Sequence, residues 1–353
     1  MALNFEHDTL AQRVLFGTGK AAENLAAEVA RLGAQRVMLV AAPYEVEIAA
    51  KAITGIDVAV TFDVVKQHVP IANAEAARKV ASDNGVDLLV CVGGGSTTGT
   101  AKAVAMTTGI PIVAVATTYA GSEATNVWGL TEAARKTTGV DNKVLPVTVI
   151  YDAALTYSLP VDLSVASGMN AMAHCIDSMW APKADPINQA LAAEGIHALA
   201  EGLPAIVADP HNQAGREQTL YGAYLSAVSF ASAGSGMHHK ICHVLGGTYN
   251  LPHAQTHATV LPYVLAFNAP NAPDADRRIA QAFGSTDALS GLLNLRTQLN
   301  GPAALKDYGF AESAAEEAAS IALPLIPESN PTPVTQENLA DLIRAACAGS
   351  LSA

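Results

Sequence analysis

Aromatic residues make up only 5% of this 353-residue chain, and charged residues 15%. Half of the residues are apolar, so a large core is available, filled by Ala, Val and Leu rather than by rings. Basic runs are missing and the net charge is −12, which excludes the electrostatic footprint of a nucleic-acid-binding protein. No run of about 20 apolar residues marks a membrane span. The opening stretch MALNFEHDTLAQRV carries charges where a signal peptide needs an apolar centre, so export is not expected. The four cysteines, Cys91, Cys175, Cys242 and Cys347, are widely spaced and form no CxxC. They read as reduced thiols of a cytoplasmic protein.

What is present divides the chain in two, as its length allows. Continuous apolar runs at 36–42, 86–92 and 110–118 alternate with helical spacing at 21–32, 45–53, 73–83 and 102–108. Strands apolar on both faces, separated by helices, predict a parallel sheet covered on both sides. From Ser164 onward only Ala/Leu-rich helices follow, at 164–181, 187–208, 213–233, 237–246, 257–267, 274–283, 286–299 and 335–348. The predicted organisation is an α/β domain over 1–157 and an all-helical domain over 158–353.

Gly93-Gly94-Gly95-Ser96 follows a strand directly and opens a helix. It is neither GxGxxG nor a Walker loop. Its glycines let a backbone approach a diphosphate, and a helix N-terminus supplies N–H groups for it. The alternative is a tight strand-to-helix turn. A second polar turn, ATTYAGSEATN at 116–126, ends the next strand on the same sheet edge.

The chain's 10 histidines are concentrated: five fall within GMHHKICHVLGGTYNLPHAQTH, 236–257. His239 and His243 are four apart, on one helical face. His253 follows after Gly246-Gly247 and Pro252, which are expected to end that helix and turn the chain back. Upstream, in GMNAMAHCIDSMW, Asn170 and His174 share a face in the same way. Three histidines and an oxygen ligand suit a divalent metal, but Asn170 is a neutral amide where a carboxylate is expected.

FGTGK at 16–20, GGGSTTGTAKA at 93–103, TTYAGSEATNVWG at 117–129, YDAALTYSLP at 151–160 and HxxxH…PH at 239, 243 and 253 together resemble the iron-containing alcohol dehydrogenase superfamily. The resemblance runs through nearly the whole chain. Within the superfamily, GGGSTTG, TTYAGSE and HHKICHVLGG are similar to the maleylacetate reductase branch. The metal-dependent branch usually has Asp where Gly99 stands.

The resemblance implies a Rossmann-like dinucleotide-binding α/β domain and a helical domain of the dehydroquinate synthase-like type, with the active site between them. It implies NADH or NADPH as cofactor and a homodimer. Carried over by position, Gly93, Gly94, Gly95 and Ser96 match the pyrophosphate loop, and Thr117, Thr118 and Ser122 a second cofactor loop. The metal ligands fall on Asn170, His174, His239 and His253, and His243 beside the nicotinamide. With an amide at 170, no tightly bound metal is expected. The substrate would be a small dianion, maleylacetate, met by Asn170, His174, His239, Lys240 and Tyr119, with His243 and His253 catalytic. No acidic residue ends the strand at 36–41 (Ala41-Ala42-Pro43 follow), so both cofactors are expected to bind. Two readings stand beside this one: a metal-dependent alcohol or polyol dehydrogenase, and a non-enzymatic relative with a vestigial site.

Overall fold

A computed structural model describes residues 4–132 and 135–351. The chain falls into two compact units, Leu10–Leu159 and Pro160–Ala353, the second joined by the N-terminal residues up to Thr9.

The first unit runs β1 (Arg13–Phe16), α1 (Ala21–Leu32), β2 (Val37–Val40), α2 (Val46–Ala52), β3 (Val58–Phe62), α3 (Ile71–Asp83), β4 (Leu88–Gly93), α4 (Gly95–Thr108), β5 (Ile112–Ala116), β6 (Val127–Glu132), β7 (Arg135–Val140) and β8 (Thr148–Tyr151). Six strands form one sheet in the order β1-β8-β5-β4-β2-β3, with every pair parallel. Alternate residues serve opposite faces, as the pleat requires. Val37, Leu39, Val90, Val92, Val113 and Val115 pack with Leu25 of α1 and Ala49 of α2. Met38, Val40, Leu89, Cys91 and Ala114 pack with Ala77 of α3 and with Ala101 and Val104 of α4. The predicted doubly covered parallel sheet is therefore the one observed. β6 and β7 form a separate antiparallel hairpin that the sequence reading leaves out.

The strand order reverses between β2 and β4. The chain leaves β2 for the edge strand β3, then returns to the other side of β2 as β4. Loops leaving the carboxyl ends of β2 and β4 therefore diverge, which opens a crevice where open parallel sheets bind ligands.

The second unit is helical: α5 (Val161–Ser178), α6 (Pro186–Ala208), α7 (Gln213–Ala233), α8 (Met237–Tyr249), α9 (His253–Asn268), α10 (Pro273–Phe283), α11 (Ala288–Leu299), α12 (Ala315–Ala322) and α13 (Gln336–Ala348). The N-terminal segment is tied here by His7, whose Nδ1 lies 2.8 Å from Asp185 Oδ2. Asp185 also caps α6 through the N–H groups of Ile187 and Asn188. By length and composition α6 is apolar enough to cross a bilayer. Here it packs so closely on its neighbours that a Cβ at Gly195 would lie 2.7 Å from Cys175 Sγ, and one at Gly202 2.5 Å from Thr219 Oγ1. That is the packing of a core helix.

Of the helix boundaries that differ from the sequence reading, two bear on the histidines. Gly246-Gly247 does not end α8, which continues to Tyr249 and stops at Asn250, a left-handed residue with φ 54°. Pro252 then caps α9, which begins at His253 rather than at 257. α12 is also additional. Along α8, Met237, Ile241, Val244 and Leu245 face a core completed by Val260 and Val264 of α9, Ala318 of α12 and Leu339 of α13. That apolar stripe leaves His239 and His243 on the other side of the helix.

Candidate active site

In the α/β unit, β4 ends at Gly93 and α4 starts from Gly94. Helix geometry leaves the N–H groups of Gly95, Ser96 and Thr97 without intrahelical acceptors. The Gly94 N–H donates to Glu45 Oε1 at 2.9 Å, while Glu45 Oε2 accepts from Thr97 Oγ1 at 2.6 Å and the Ala42 N–H at 2.8 Å. A Cβ at Gly93, whose φ is 158°, would lie 2.4 Å from the Glu45 carboxylate, and one at Gly94 2.9 Å from Thr118 Cγ2. Gly93 and Gly94 are thus held by packing. Gly95 is different: its Cβ would meet only Ala120 Cβ, at an ordinary 3.5 Å.

The second turn lies alongside the first. The Thr117 N–H donates to the Gly93 carbonyl at 3.2 Å. Lys102 of α4, fully buried, donates to the carbonyls of Ser122, Thr125 and Val127 at 2.6, 2.8 and 2.7 Å. Burial pushes its ammonium down to about 7, against the pull of nearby Glu123. Glu123 is raised by burial and accepts from Tyr151 Oη at 2.8 Å. Ser122 is thus engaged through its carbonyl. Tyr119 is fully buried within this unit.

In the helical unit, six imidazoles cluster on three helices. His174 lies on α5, one turn after Asn170. His238, His239 and His243 lie on α8, and His253 and His257 on α9. His174 stacks on His239 with centroids 4.9 Å apart, and Phe230 covers both rings at 4.8 and 4.3 Å. His239 is 6.1 Å from His243 and 4.9 Å from His257, which is 4.3 Å from His253. Of the sequence-predicted residues, His174, His239 and His243 are brought together directly, and His253 through His257. His243, His253 and Lys240 are half-buried, whereas Asn170, His174 and His239 are buried.

The organising group is Asp177, on the last turn of α5. Its Oδ2 accepts from the Gly236 N–H at 2.8 Å, its Oδ1 from the His238 N–H at 3.3 Å, and Oδ2 also faces His239 Nδ1 at 2.7 Å. Burial raises the carboxyl to about 6, opposed by these N–H donors. Burial holds His239 well below the usual imidazole range, so the pair is a charge-assisted hydrogen bond with neutral imidazole. The proton on Nδ1 leaves Nε2 as an acceptor. His239 Nε2 and Asn170 Oδ1 are both buried without a hydrogen-bond partner among the described residues.

Two expectations change on this geometry. His239 cannot hold an anionic substrate oxygen through Nε2 while its proton faces Asp177; it accepts from a donor instead. Nor does the arrangement support the expected lack of a tightly bound metal. Two buried acceptors with neutral imidazoles beside them, one backed by a carboxylate, are a donor set that fits a divalent cation. Asp177, His238 and His257 were missed. Asp177 follows His174 by three residues on the same helical face, and His257 follows His253 by four.

A parallel-sheet unit with a glycine turn at its switch point, in one chain with a helical unit bearing clustered imidazoles, is the plan of a dinucleotide-dependent oxidoreductase. Sequence models of the iron-containing alcohol dehydrogenase match residues 11–153, and of the C-terminal part of the Fe-containing alcohol dehydrogenase family residues 164–347. The chain belongs to the iron-containing alcohol dehydrogenase family. It is 42% identical to a maleylacetate reductase of Sphingobium indicum over 98% of each chain. A crystal structure described as an iron-containing alcohol dehydrogenase from Corynebacterium glutamicum is 65% identical and superposes with a TM-score of 0.97 over 98% of each chain. Maleylacetate reductase from a Rhizobium species is 37% identical, with a TM-score of 0.91, over 98% of this chain and 99% of that one.

The imidazole cluster makes the fold sensitive to acid. Burial lowers His174 to about 4 and His238 to about 3, and holds His239 and His257 well below the usual imidazole range. Groups depressed in the folded state stabilise it fully above their unfolded value of 6.5 and lose that contribution as pH falls through the folded values. Asp177, raised to about 6, acts in the opposite sense, but one carboxyl opposes four imidazoles. Stability should therefore fall between about pH 6.5 and 4, His174 alone contributing on the order of 3 kcal/mol. Urea unfolding across this range should show a shallower slope for His174→Gln, and an unchanged slope would contradict the account.

Proposed function

We infer that the chain catalyses the NAD(P)H-dependent reduction of the carbon–carbon double bond of maleylacetate to give 3-oxoadipate. Full-length likeness to maleylacetate reductases supports this. The observation that carries it is Asn170, a buried uncharged amide one helical turn before His174, whose imidazole, like that of His239 stacked on it, is kept neutral by burial. A carboxylate at this position would repel a dianionic substrate; the amide does not. Lys240, half-buried on the same helix as His239 and His243, adds a positive charge.

The α/β unit is the proposed cofactor domain and the helical unit the substrate domain. The N–H groups of Gly95 and Ser96 and the α4 dipole meet the diphosphate, with Gly93, Gly94, Thr117, Thr118 and Ser122 shaping the two turns. Glu45 is turned onto the Gly94 N–H and presents no carboxylate to a ribose 2′-hydroxyl. Both NADH and NADPH should bind.

Hydride from the nicotinamide adds to one carbon of the double bond, conjugated to the substrate's ketone. The electron pair moves to the ketone oxygen as an enolate, and a proton added to the adjacent carbon completes the reduction. His243, half-buried, is the proposed proton donor or enolate stabiliser, and His253 the second catalytic imidazole. The family's metal would be held by His174, His239, His253 and Asn170, and when bound it supplies Lewis-acid polarisation of the ketone. None of these donors carries a formal charge, so we propose that a cation is held here less tightly than at a site with a carboxylate at position 170. A soluble cytoplasmic homodimer completes the reading; the four cysteines are free and buried, in keeping with a reducing compartment.

A second reading has its own support. The unpartnered acceptors His239 Nε2 and Asn170 Oδ1 also suit a metal-dependent alcohol dehydrogenase. NADH oxidation on adding maleylacetate, measured before and after EDTA, separates the two. Activity should persist after chelation, and Asn170→Asp should raise metal content. Activity lost to EDTA and restored by zinc or iron would make the reductase metal-dependent, and no activity on maleylacetate beside metal-dependent alcohol oxidation would favour the alcohol dehydrogenase.

Two substitutions test the assignments. Gly95→Val has room within the fold, so the protein should stay folded while NADH affinity falls by more than about tenfold, or about 1.4 kcal/mol; an unchanged titration would remove the loop from the cofactor site. His243→Ala should lower kcat at least about 100-fold with cofactor affinity nearly intact. A kcat within about threefold of the parent enzyme would move the role to His253.

A further inference from the structure

Behind the substrate-facing imidazoles lies a second group that the reduction does not use. His238 and Cys242 are one turn apart on α8, and His257 is on α9. All three are buried. His238 Nε2 is 3.0 Å from His257 Nδ1 and 3.6 Å from Cys242 Sγ. The three ligand atoms all lie within 4.8 Å of one another. We propose that His238, Cys242 and His257 form a binding site for a thiophilic divalent cation, zinc above all, distinct from the Asn170 donor set.

Two of the three distances come close to those of tetrahedral coordination, and the third, between Cys242 and His257, is within 4.8 Å and closes by rotation of the side chains when the ion binds. Zinc bonds of about 2.3 Å to sulfur and 2.0–2.1 Å to nitrogen place sulfur and nitrogen ligands about 3.5 Å apart and two nitrogens about 3.3 Å apart. The Cys242–His238 sulfur–nitrogen pair already has this separation. The two imidazoles must part by a few tenths of an ångström and give up their mutual hydrogen bond. Ligand chemistry separates the two donor sets. Asn170, His174, His239 and His253 offer no thiol, whereas Cys242 becomes an anionic donor when the metal displaces its proton to solvent. Burial holds the free thiol well above its ordinary range, and the nearby Asp177 charge adds to this. A cation at the site reverses that balance: Cys242 thiolate and Asp177 carboxylate together neutralise a 2+ charge. One sulfur and two nitrogens select zinc, cobalt or copper over magnesium or calcium. Three protein ligands leave a fourth position for water. The ion would clamp α8 to α9.

Cobalt(II) reports the thiolate directly. The full chain, stripped with chelator, is titrated with cobalt(II). At one equivalent a near-ultraviolet sulfur-to-cobalt charge-transfer band should appear, zinc should displace it, and the melting temperature should rise. Cys242→Ser should abolish the band and His174→Gln should keep it. His257→Gln, which retains the thiol, should weaken cobalt binding at least about tenfold, so the test does not depend on Cys242→Ser folding. No charge-transfer band in the parent protein overturns the proposal. So does a band that survives Cys242→Ser, which would implicate Cys91, Cys175 or Cys347. Cobalt bound without the band and lost in His174→Gln would place the ion at the Asn170 donor set alone. Since none of these readouts is turnover, failure here leaves the reductase reading intact.

Discussion

The helical unit depends on a buried carboxylate. Asp177 closes the N-terminus of α8 through the Gly236 and His238 N–H groups and fixes the tautomer of His239 in the same stroke. An isolated carboxylate so buried costs several kcal/mol. Three N–H donors, each worth about 1.5–3 kcal/mol to a charged acceptor, offset that cost together with the helix dipole. Gly236 is required by the same contact, because a Cβ there would sit 2.5 Å from Asp177 Oδ1. Once α5 and α8 are joined in this way, His174 and His239 stack, Phe230 covers them, and the remaining imidazoles follow from helical spacing.

The α/β unit uses buried charge in the same manner. Glu45 gathers the Gly94 and Ala42 N–H groups and the Thr97 hydroxyl. Lys102 gathers two carbonyls of the second turn and that of Val127, which opens β6. In each case one long side chain satisfies backbone groups that a tight turn cannot pair by itself. The turns are held in shape by the fold, and the N–H groups of Gly95 and Ser96 at the helix N-terminus have no intrahelical acceptors.

The sheet was legible because its strands are buried on both faces, so runs such as Leu89–Val92 carry a continuous apolar signal. The hairpin was not: β6 is half-buried along most of its length and offers neither a continuous run nor a clean alternation. Of the site, the Asn170/His174 and His239/His243 pairs followed from spacing alone. His257 was lost to a boundary error. Pro252 was read as turning the chain, but proline is also well placed to start a helix, and α9 starting at His253 puts His257 one turn on. Asp177 and Glu45 were hidden for a different reason. Their partners, Gly236 and Gly94, are 59 and 49 residues away, and no local pattern announces such a contact.

Removing the carboxylate at position 170 changes more than one ligand. With Asp there, a cation would be needed to offset two buried negative charges, at 170 and 177. With Asn170 only Asp177 remains, already satisfied by backbone and imidazole donors. The pocket then carries one buried negative charge fewer and imposes less repulsion on a dianion. An enolate depends on a Lewis acid less than an alkoxide does, because conjugation spreads the developing charge and hydrogen-bond donors can help to hold it. The geometry of the imidazoles is kept, held by Asp177, while one of two buried negative charges is gone.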